Sequence, residues 1–110
     1  MSTTTTTTPA IAKTMTITST ATPTLNGTYN IAGAMETAGL QAEVNAIALD
    51  DAFADGTQTV NWPDINRTAH SFTVAQFKTF ATAVALYKAQ WTQYAYGLIT
   101  TAPSNAATIP

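Results

Sequence analysis

The feature that most constrains the fold is a run of large apolar side chains near the C-terminal end of the chain. Spacings of three and four alternate along it, which places the side chains on one face of an α-helix. The run comprises Phe77, Phe80, Ala81, Val84, Tyr87, Trp91, Tyr94 and Leu98. Thr73, followed three residues later by Gln76, is a capping-box sequence ahead of it. We therefore predict a long helix of some 25 residues whose apolar stripe is mostly core.

Two β-hairpins are predicted before this helix. In the first, Met15 and Ile17 alternate with threonines within residues 13–24, which is typical of a half-buried strand. Asn26-Gly27 suits a tight turn with positive φ, and a short second strand carrying Tyr29 and Ile31 follows.

The second hairpin is predicted from residues 57–72. "TQTVNW" reads as a strand, "PDINRT" as a turn in which Asp64 and Asn66 can accept backbone hydrogen bonds, and "AHSF" as the returning strand. Trp62 is expected to fill the core beneath it, and Phe72 lies on the returning strand.

A second helix is predicted between the hairpins, from Gly33 to Ala54. Its expected apolar stripe consists of Leu40, Val44, Ile47 and Ala48, widened by Met35, Ala42, Ala46, Leu49 and Phe53. Glu36, Glu43 and Asp50 recur every seven residues and mark the solvent-facing side. Gly56 is expected to be the left-handed residue after the helix end.

The scarcity of charge is the clearest indication of function. Charged residues make up 9% of the 110-residue chain, against about a quarter in an ordinary soluble domain. Threonine and alanine each supply roughly a fifth of the chain. A protein stays soluble as a free monomer largely by carrying charge. This composition favours a surface that is buried against neighbouring proteins, although a monomer that tolerates low charge stays an alternative.

Several classes of function are excluded by composition. The net charge is −2, and Lys13, Arg67, Lys78 and Lys88 are too scattered to form a basic patch for nucleic acid. Without cysteine there is no thiolate catalysis or cysteine-bound zinc, and we expect no metal or cofactor. No apolar run is long enough to span a membrane, and the first residues do not resemble a signal peptide. We expect synthesis in a cytoplasm and no secretion by the usual route.

These elements predict a small single α+β domain with two short β-hairpins, two helices and an extended N-terminal arm. The expected division is a low-complexity threonine-rich arm over residues 1–12, the domain over residues 13–100, and a polar tail over residues 101–110. The arm is expected to be disordered in isolation, because its small side chains cannot offset the entropy of ordering. β-Branched threonine favours extended structure, so a sheet edge on another subunit could order it.

The segment around the chain's one histidine is the best candidate for an active site. An enzyme would use His70 as general base, Asp64 to orient it, and Ser71 or Thr73 as nucleophile. On a strand, however, His70 and Ser71 point to opposite faces, and no nucleophile elbow or metal-ligand set is present. We predict that the segment is a turn and a helix cap, and that the protein is not an enzyme.

Two binding interpretations compete with purely structural roles. Trp62, Asp64, Asn66 and Arg67 could line a glycan-binding loop, with His70 beside them. Partner proteins could instead contact the arm and one aromatic residue that lies off the main helical stripe; these candidates are Thr3, Thr4, Thr5, Thr6, Thr7, Thr8, Pro9, Ile11 and Tyr96. The Asn-x-Thr motifs for N-glycosylation at residues 26–28 and 66–68 are attributed to chance in a threonine-rich chain.

A pattern of the form W-x-D, H-x-F, F, F, A, Y runs through the second half of the chain. Its residues are Trp62, Asp64, His70, Phe72, Phe77, Phe80, Ala83 and Tyr87. Together with "PTLNGTYNI" and the alanine-rich helix, it resembles an uncharacterised domain of tail-fibre and tail-associated proteins of tailed bacteriophages and prophages. The similarity covers roughly residues 23–100 and excludes the arm.

The resemblance implies a non-enzymatic structural component of the virion, associated with the tail, baseplate or fibre. Its expected partners are other virion proteins and copies of itself, as a homo-oligomer or in many copies within a larger assembly. A capsid decoration protein, which would grip the shell with its arm, is one alternative. A glycan-binding adhesin module is another.

Overall fold

The computed structural model describes residues 11–110, which contain five strands and two long helices. The elements are β1 (Thr14–Ser19), β2 (Gly27–Asn30), α1 (Ala34–Asp50), β3 (Thr59–Pro63), β4 (Ala69–Thr73), α2 (Val74–Ala95) and β5 (Ala106–Ile109), with a 3-10 helix at Pro23–Leu25. The α+β class predicted from the sequence is confirmed. Most of the predicted arm, including Thr3, Thr4, Thr5, Thr6, Thr7, Thr8 and Pro9, lies outside the described residues.

The strands form two separate sheets. In the first, the order is β2-β1-β5, with β1 antiparallel to β2 and parallel to β5. The second is the antiparallel pair β3-β4, in which Trp62 lies opposite His70. Ile65 at the tip of the second hairpin donates its N–H to the Thr28 carbonyl of β2 at 3.0 Å, so this tip lies against the first sheet.

The first hairpin has a different connection from the one predicted. Gly27 is not a turn residue: it is paired with Ile17 as the first residue of β2. The chain reverses instead through residues 20–26, where Pro23 begins the 3-10 helix. Asn26 has an extended backbone, and its side-chain oxygen accepts from the Ser19 N–H at 2.7 Å. A side-chain hydrogen bond therefore closes a wider connection, which a two-residue turn motif does not reveal.

The second hairpin follows the prediction. The Asp64 carboxylate accepts from the N–H groups of Asn66, at 2.8 Å, and Thr68, at 3.0 Å. Arg67 between them has φ of 65°, a left-handed conformation. Residues 63–68 thus form a turn that Asp64 closes, as the residue types indicate.

The start of α2 is the capping box that the sequence predicts. The Gln76 N–H donates to the Thr73 hydroxyl at 3.2 Å, and the Thr73 N–H donates to the Gln76 side-chain oxygen at 3.0 Å. The apolar stripe then packs into the core, with Phe77, Phe80, Val84 and Tyr87 buried.

The end of α2 differs from the prediction. The helix stops at Ala95, because Gly97 takes φ of 74° and the Leu98 N–H turns back to the Gln93 carbonyl at 2.8 Å. This Schellman arrangement satisfies the last carbonyls of the helix. Leu98 therefore leaves the stripe and is 75% exposed.

The first helix is shorter and less buried than predicted. It begins after Gly33, where the Asn30 side chain accepts from the N–H groups of Ala32 and Gly33, both at 3.0 Å. It ends at Asp50 because Asp51 is left-handed, with φ of 52°. Gly56 is also left-handed, but it belongs to the loop beyond and does not end the helix.

The stripe predicted for α1 is largely uncovered. Within α1 the one buried residue of the stripe is Ile47, while Leu40 and Val44 are half-buried and Ala48 is exposed. Phe53, assigned to the wider stripe, is buried as predicted, although it lies in the loop after the helix. Two residues assigned to the wider stripe, Met35 and Leu49, are each 82% exposed. Hydrophobic residues on this helix are spread around it, so burying one face leaves others in contact with water.

The polar tail predicted for residues 101–110 contains part of the domain. Ala106–Ile109 form β5, which extends the first sheet beside β1, and Ile109 is 2% exposed. The prediction missed this strand because it holds one large apolar residue among small and polar ones. Neither described helix is long and apolar enough to cross a membrane.

Candidate interaction surface

An open apolar groove lies between the two helices. It has a volume of about 990 Å³. Its lining comprises Thr37, Leu40, Gln41, Val44, Ile47, Ala48, Leu49, Asp50, Asp51, Lys78, Ala81, Thr82, Val84, Ala85 and Lys88. Because the alanines on α2 have small side chains, the two helices leave the space between them unfilled. Of the apolar residues that α1 leaves uncovered, Leu40, Val44, Ala48 and Leu49 lie along this groove, whereas Met35 does not.

Charged groups lie along this groove without pairing across it. Lys78 and Lys88 come from α2, and Asp50 and Asp51 from the end of α1. Within residues 11–110, the ion pair within 4.0 Å is His70 with Asp64, so the groove lysines make none there. The groove thus combines an apolar lining with charged side chains that form no ion pair within residues 11–110.

Other large side chains are exposed elsewhere on the domain. Tyr96, predicted to bind a partner, is 80% exposed just after α2, and Leu98 follows it. Leu86 on α2 and Ile65 at the hairpin tip are also exposed. Sequence reasoning identified Tyr96 but assigned Leu98 to the buried stripe, and it did not single out Leu86. The exposure of Leu86 could have been predicted, because its position lies off the helical face that the buried residues Val84 and Tyr87 share.

The residues that join the arm to the domain are hydrogen-bonded to α2 and β2. The Ala12 N–H donates to the Tyr87 hydroxyl at 3.0 Å, and the Ile31 N–H donates to the Lys13 carbonyl at 2.9 Å. Ala12 also packs against the core, so it belongs to the domain and not to the arm as predicted. Ile11, a predicted partner contact, is exposed beside it.

The residues of the supposed active site do come together in part. The His70 ring nitrogen Nε2 lies 2.9 Å from an Asp64 carboxylate oxygen. The ring packs edge-on against Tyr29, with centroids 5.9 Å apart. Neither candidate nucleophile joins them: Ser71 is exposed on the opposite side of β4, and the Thr73 hydroxyl caps α2. The pair stabilises the turn and connects it to the first sheet.

Electrostatics within this cluster follow from its contacts. The hydrogen bond from His70, reinforced by the N–H groups of Thr68 and Asn66, holds the pKa of Asp64 below its ordinary value. Burial, reinforced by the charge of Asp64, raises the pKa of Tyr29 to about 12. The Tyr29 hydroxyl donates to the Leu25 carbonyl at 2.7 Å, which fixes its proton in place. In residues 11–110, no three acidic or histidine side chains converge as metal ligands would.

The glycan-binding candidates are engaged with the domain itself. Trp62 is half-buried, with its ring 5.2 Å from that of Phe77. The far edge of the Trp62 ring lies 3.1 Å from the position that a Cβ atom on Gly39 would occupy, so the ring also packs closely against α1. Asp64 is committed to the turn, while Asn66 and Arg67 are exposed. The four residues are neighbours, but the tryptophan face that a sugar would need is partly covered.

The chain was compared with protein-family models, curated proteins and solved structures, and none of these comparisons gives a match.

Proposed function

We propose that this chain is a non-enzymatic structural protein of a tailed bacteriophage, associated with the tail, baseplate or fibre. It binds copies of itself and neighbouring virion proteins through its threonine-rich arm and its exposed apolar residues. The observation that carries the proposal is the apolar α1–α2 groove, in which Leu49 is exposed and Leu40 and Val44 are only half-buried, on a domain with so little charge.

The groove and the residues around it would gain free energy from being covered. Large apolar side chains that stay in water forgo about 1.5–3 kcal/mol each relative to full burial. Scattered exposed residues are ordinary, whereas apolar residues gathered in a groove between helices mark a contact surface. Covering Leu49, Leu40 and Val44 with a partner would complete the packing that α1 lacks in the isolated domain.

The resemblance to tail-associated domains supports the location. Residues of that pattern, including Phe72, Phe77, Phe80 and Tyr87, form the core, and Asp64 and His70 form the turn. The pattern therefore describes a scaffold, and it leaves the exposed residues free to serve a particular assembly.

Mass spectrometry of purified particles tests the proposal. Particles should be prepared from an induced lysate of the bacterium whose genome encodes the chain. We expect its peptides in the particle fraction in many copies, and copy number relative to the major capsid and tail proteins separates a tail component from a capsid decoration protein. Finding the chain in the lysate but never with particles would reject a virion role.

A further inference from the structure

The first sheet has one edge that is open to another strand. β5 bonds to β1 through alternate residues: the Thr16 N–H donates to the Asn105 carbonyl at 2.9 Å, and the Thr20 N–H to the Ile109 carbonyl at 3.0 Å. In a parallel pair the intervening residues direct their backbone groups the other way. The N–H and C=O groups of Ala106 and Thr108 therefore point outward from the sheet.

These outward groups have few partners. Among residues 11–110, the Ala106 N–H donates to the Ser104 hydroxyl at 3.2 Å, and Thr108 has no hydrogen bond on its outer side. The opposite edge is partly covered, since the Thr28 carbonyl of β2 accepts from the Ile65 N–H at the tip of the second hairpin. Exposed edges are usually protected by charge or by proline within the strand. β5 has neither, and residues 89–110 contain no charged side chain.

We propose that the outer edge of β5 binds residues 3–8 of a second copy of this chain as an added β-strand. The inference rests on the proposed function and names the surface that the arm occupies. Six consecutive threonines favour extended backbone and can pair as threonine with threonine across strands. In this binding mode main-chain hydrogen bonds supply the affinity. Both segments are uncharged, so no like-charge repulsion opposes their pairing.

The path of the arm favours a second copy over the same one. Gln76 at the start of α2 donates to the Pro110 C=O oxygen at 3.0 Å, while Ala12 lies at Tyr87, three turns along the helix. The arm therefore leaves the sheet at the end remote from Ser19 and Pro110. To reach β5 of its own copy, it would have to reverse direction and cross that strand. Ten extended residues span about 33 Å, enough to reach a neighbouring copy directly.

A pair of variants at one position tests the pairing. Thr108→Pro removes the outward N–H and leaves the bonds to β1 intact, whereas Thr108→Val keeps the N–H and the β-branched shape. Sedimentation velocity of the full chain should show self-association about tenfold weaker in Thr108→Pro and unchanged in Thr108→Val. Both variants are checked for folding by thermal unfolding. Normal association of a folded Thr108→Pro would overturn the proposal.

Disulfide trapping tests it independently of that variant, because the chain has no cysteine of its own. Thr5→Cys or Thr6→Cys, mixed with a differently tagged Ala106→Cys and oxidised glutathione, should give a covalent heterodimer. Ser71→Cys, exposed on β4, replaces Ala106→Cys as the control and should give much less. Equal yields from the Ala106→Cys and Ser71→Cys partners would reject pairing between copies. A disulfide that forms only when one chain carries both Thr5→Cys and Ala106→Cys would reject it as well.

Deleting residues 2–10 separates this inference from the proposed function. If the deletion abolishes self-association while Thr108→Pro does not, the arm binds elsewhere and only the assignment to β5 fails. If the deletion leaves association unchanged, the arm's role in the proposed function fails as well.

Discussion

Gln76 shows how much one buried polar side chain can connect. Beyond capping α2, its amide nitrogen donates to the Thr22 hydroxyl at 3.1 Å and to Pro110, so it joins the helix, the first connection and β5. The Ser19 hydroxyl donates to the same Pro110 oxygen at 2.6 Å. The capping box was predictable from local spacing. The two distant contacts were not, because Pro110 follows a strand that the sequence did not reveal and Thr22 lies in a connection that forms no tight turn.

Replacing Gln76 with methionine should destabilise the domain. The Thr73 N–H and the Pro110 oxygen would each lose a hydrogen bond in a partly buried setting, which costs about 1–3 kcal/mol in total. Thr79→Val is the matched control, since Thr79 returns its hydroxyl to the Ala75 carbonyl at an exposed site. Urea unfolding measures both variants. Equal, small effects would show that the network adds nothing to the cap.

Gly39 and Trp62 should be energetically coupled. Alanine in place of glycine inside a helix contributes about 1 kcal/mol of stability. At position 39 the new methyl would meet the Trp62 ring at 3.1 Å, which is tighter than ordinary contact. We expect Gly39→Ala to increase the free energy of unfolding by this full amount only when Trp62 is also replaced by alanine.

A double-mutant cycle by urea unfolding measures this coupling. Trp62→Ala alone should cost about 2–3 kcal/mol, since the ring is half-buried against Phe77. Tyr96→Ala, at an exposed position, should cost almost nothing. Additive effects of the Gly39 and Trp62 changes would mean that the ring does not press on α1. A Trp62→Ala variant of unchanged stability would instead favour the glycan-binding alternative.

Tyr29 should make the domain sensitive to alkali. The folded protein holds this proton more tightly than the unfolded chain, whose pKa is 10.0, so the contribution is complete below about pH 10. It is lost as the pH rises toward the folded pKa of about 12. Tyr29→Phe should be less stable at neutral pH and should lose stability less steeply above pH 10. Parallel alkaline unfolding curves for the two proteins would contradict this assignment.

At the scale of elements, local signals predicted well and long-range ones did not. The second hairpin and α2 are specified by nearby residues: a turn aspartate, a capping box and a regular stripe. α1 was predicted, but its packing was not, because Met35 and Leu49 fit a helical stripe that the domain leaves uncovered. β5 escaped notice because pairing with β1 across some 90 residues, and not its own composition, makes it a strand.

Truncation at the two ends of the chain should have opposite outcomes. Removing residues 104–110 deletes β5, exposes the core at Ile109 and leaves Gln76 and Ser19 without their shared acceptor, so we expect several kcal/mol of destabilisation or loss of cooperative unfolding. Removing residues 2–10 keeps Ala12 bonded to Tyr87 and should leave the melting temperature unchanged. Circular dichroism on heating measures both. A C-terminal truncation that melts like the full chain would restore the tail interpretation.

The whole molecule combines a small, well-packed core with an exterior that is poor in charge. Aromatic rings from β2, β4 and α2 meet in the core: Tyr29 packs edge-on against Phe72 at 5.6 Å between centroids, and Phe80 lies tilted against both at 5.5 and 5.7 Å. Outside it, the α1–α2 groove leaves apolar side chains in contact with water, and the β5 edge leaves backbone groups of Thr108 without a hydrogen bond among residues 11–110. The composition predicted such an exterior, but only the folded arrangement shows where the uncovered groups lie.

Sedimentation velocity of the full chain, from micromolar to millimolar concentration, tests this account most directly. We predict association that increases with concentration and that is strongly reduced when residues 2–10 are deleted. A full chain that sediments as a monomer throughout the range, with the deletion variant indistinguishable from it, would contradict the account.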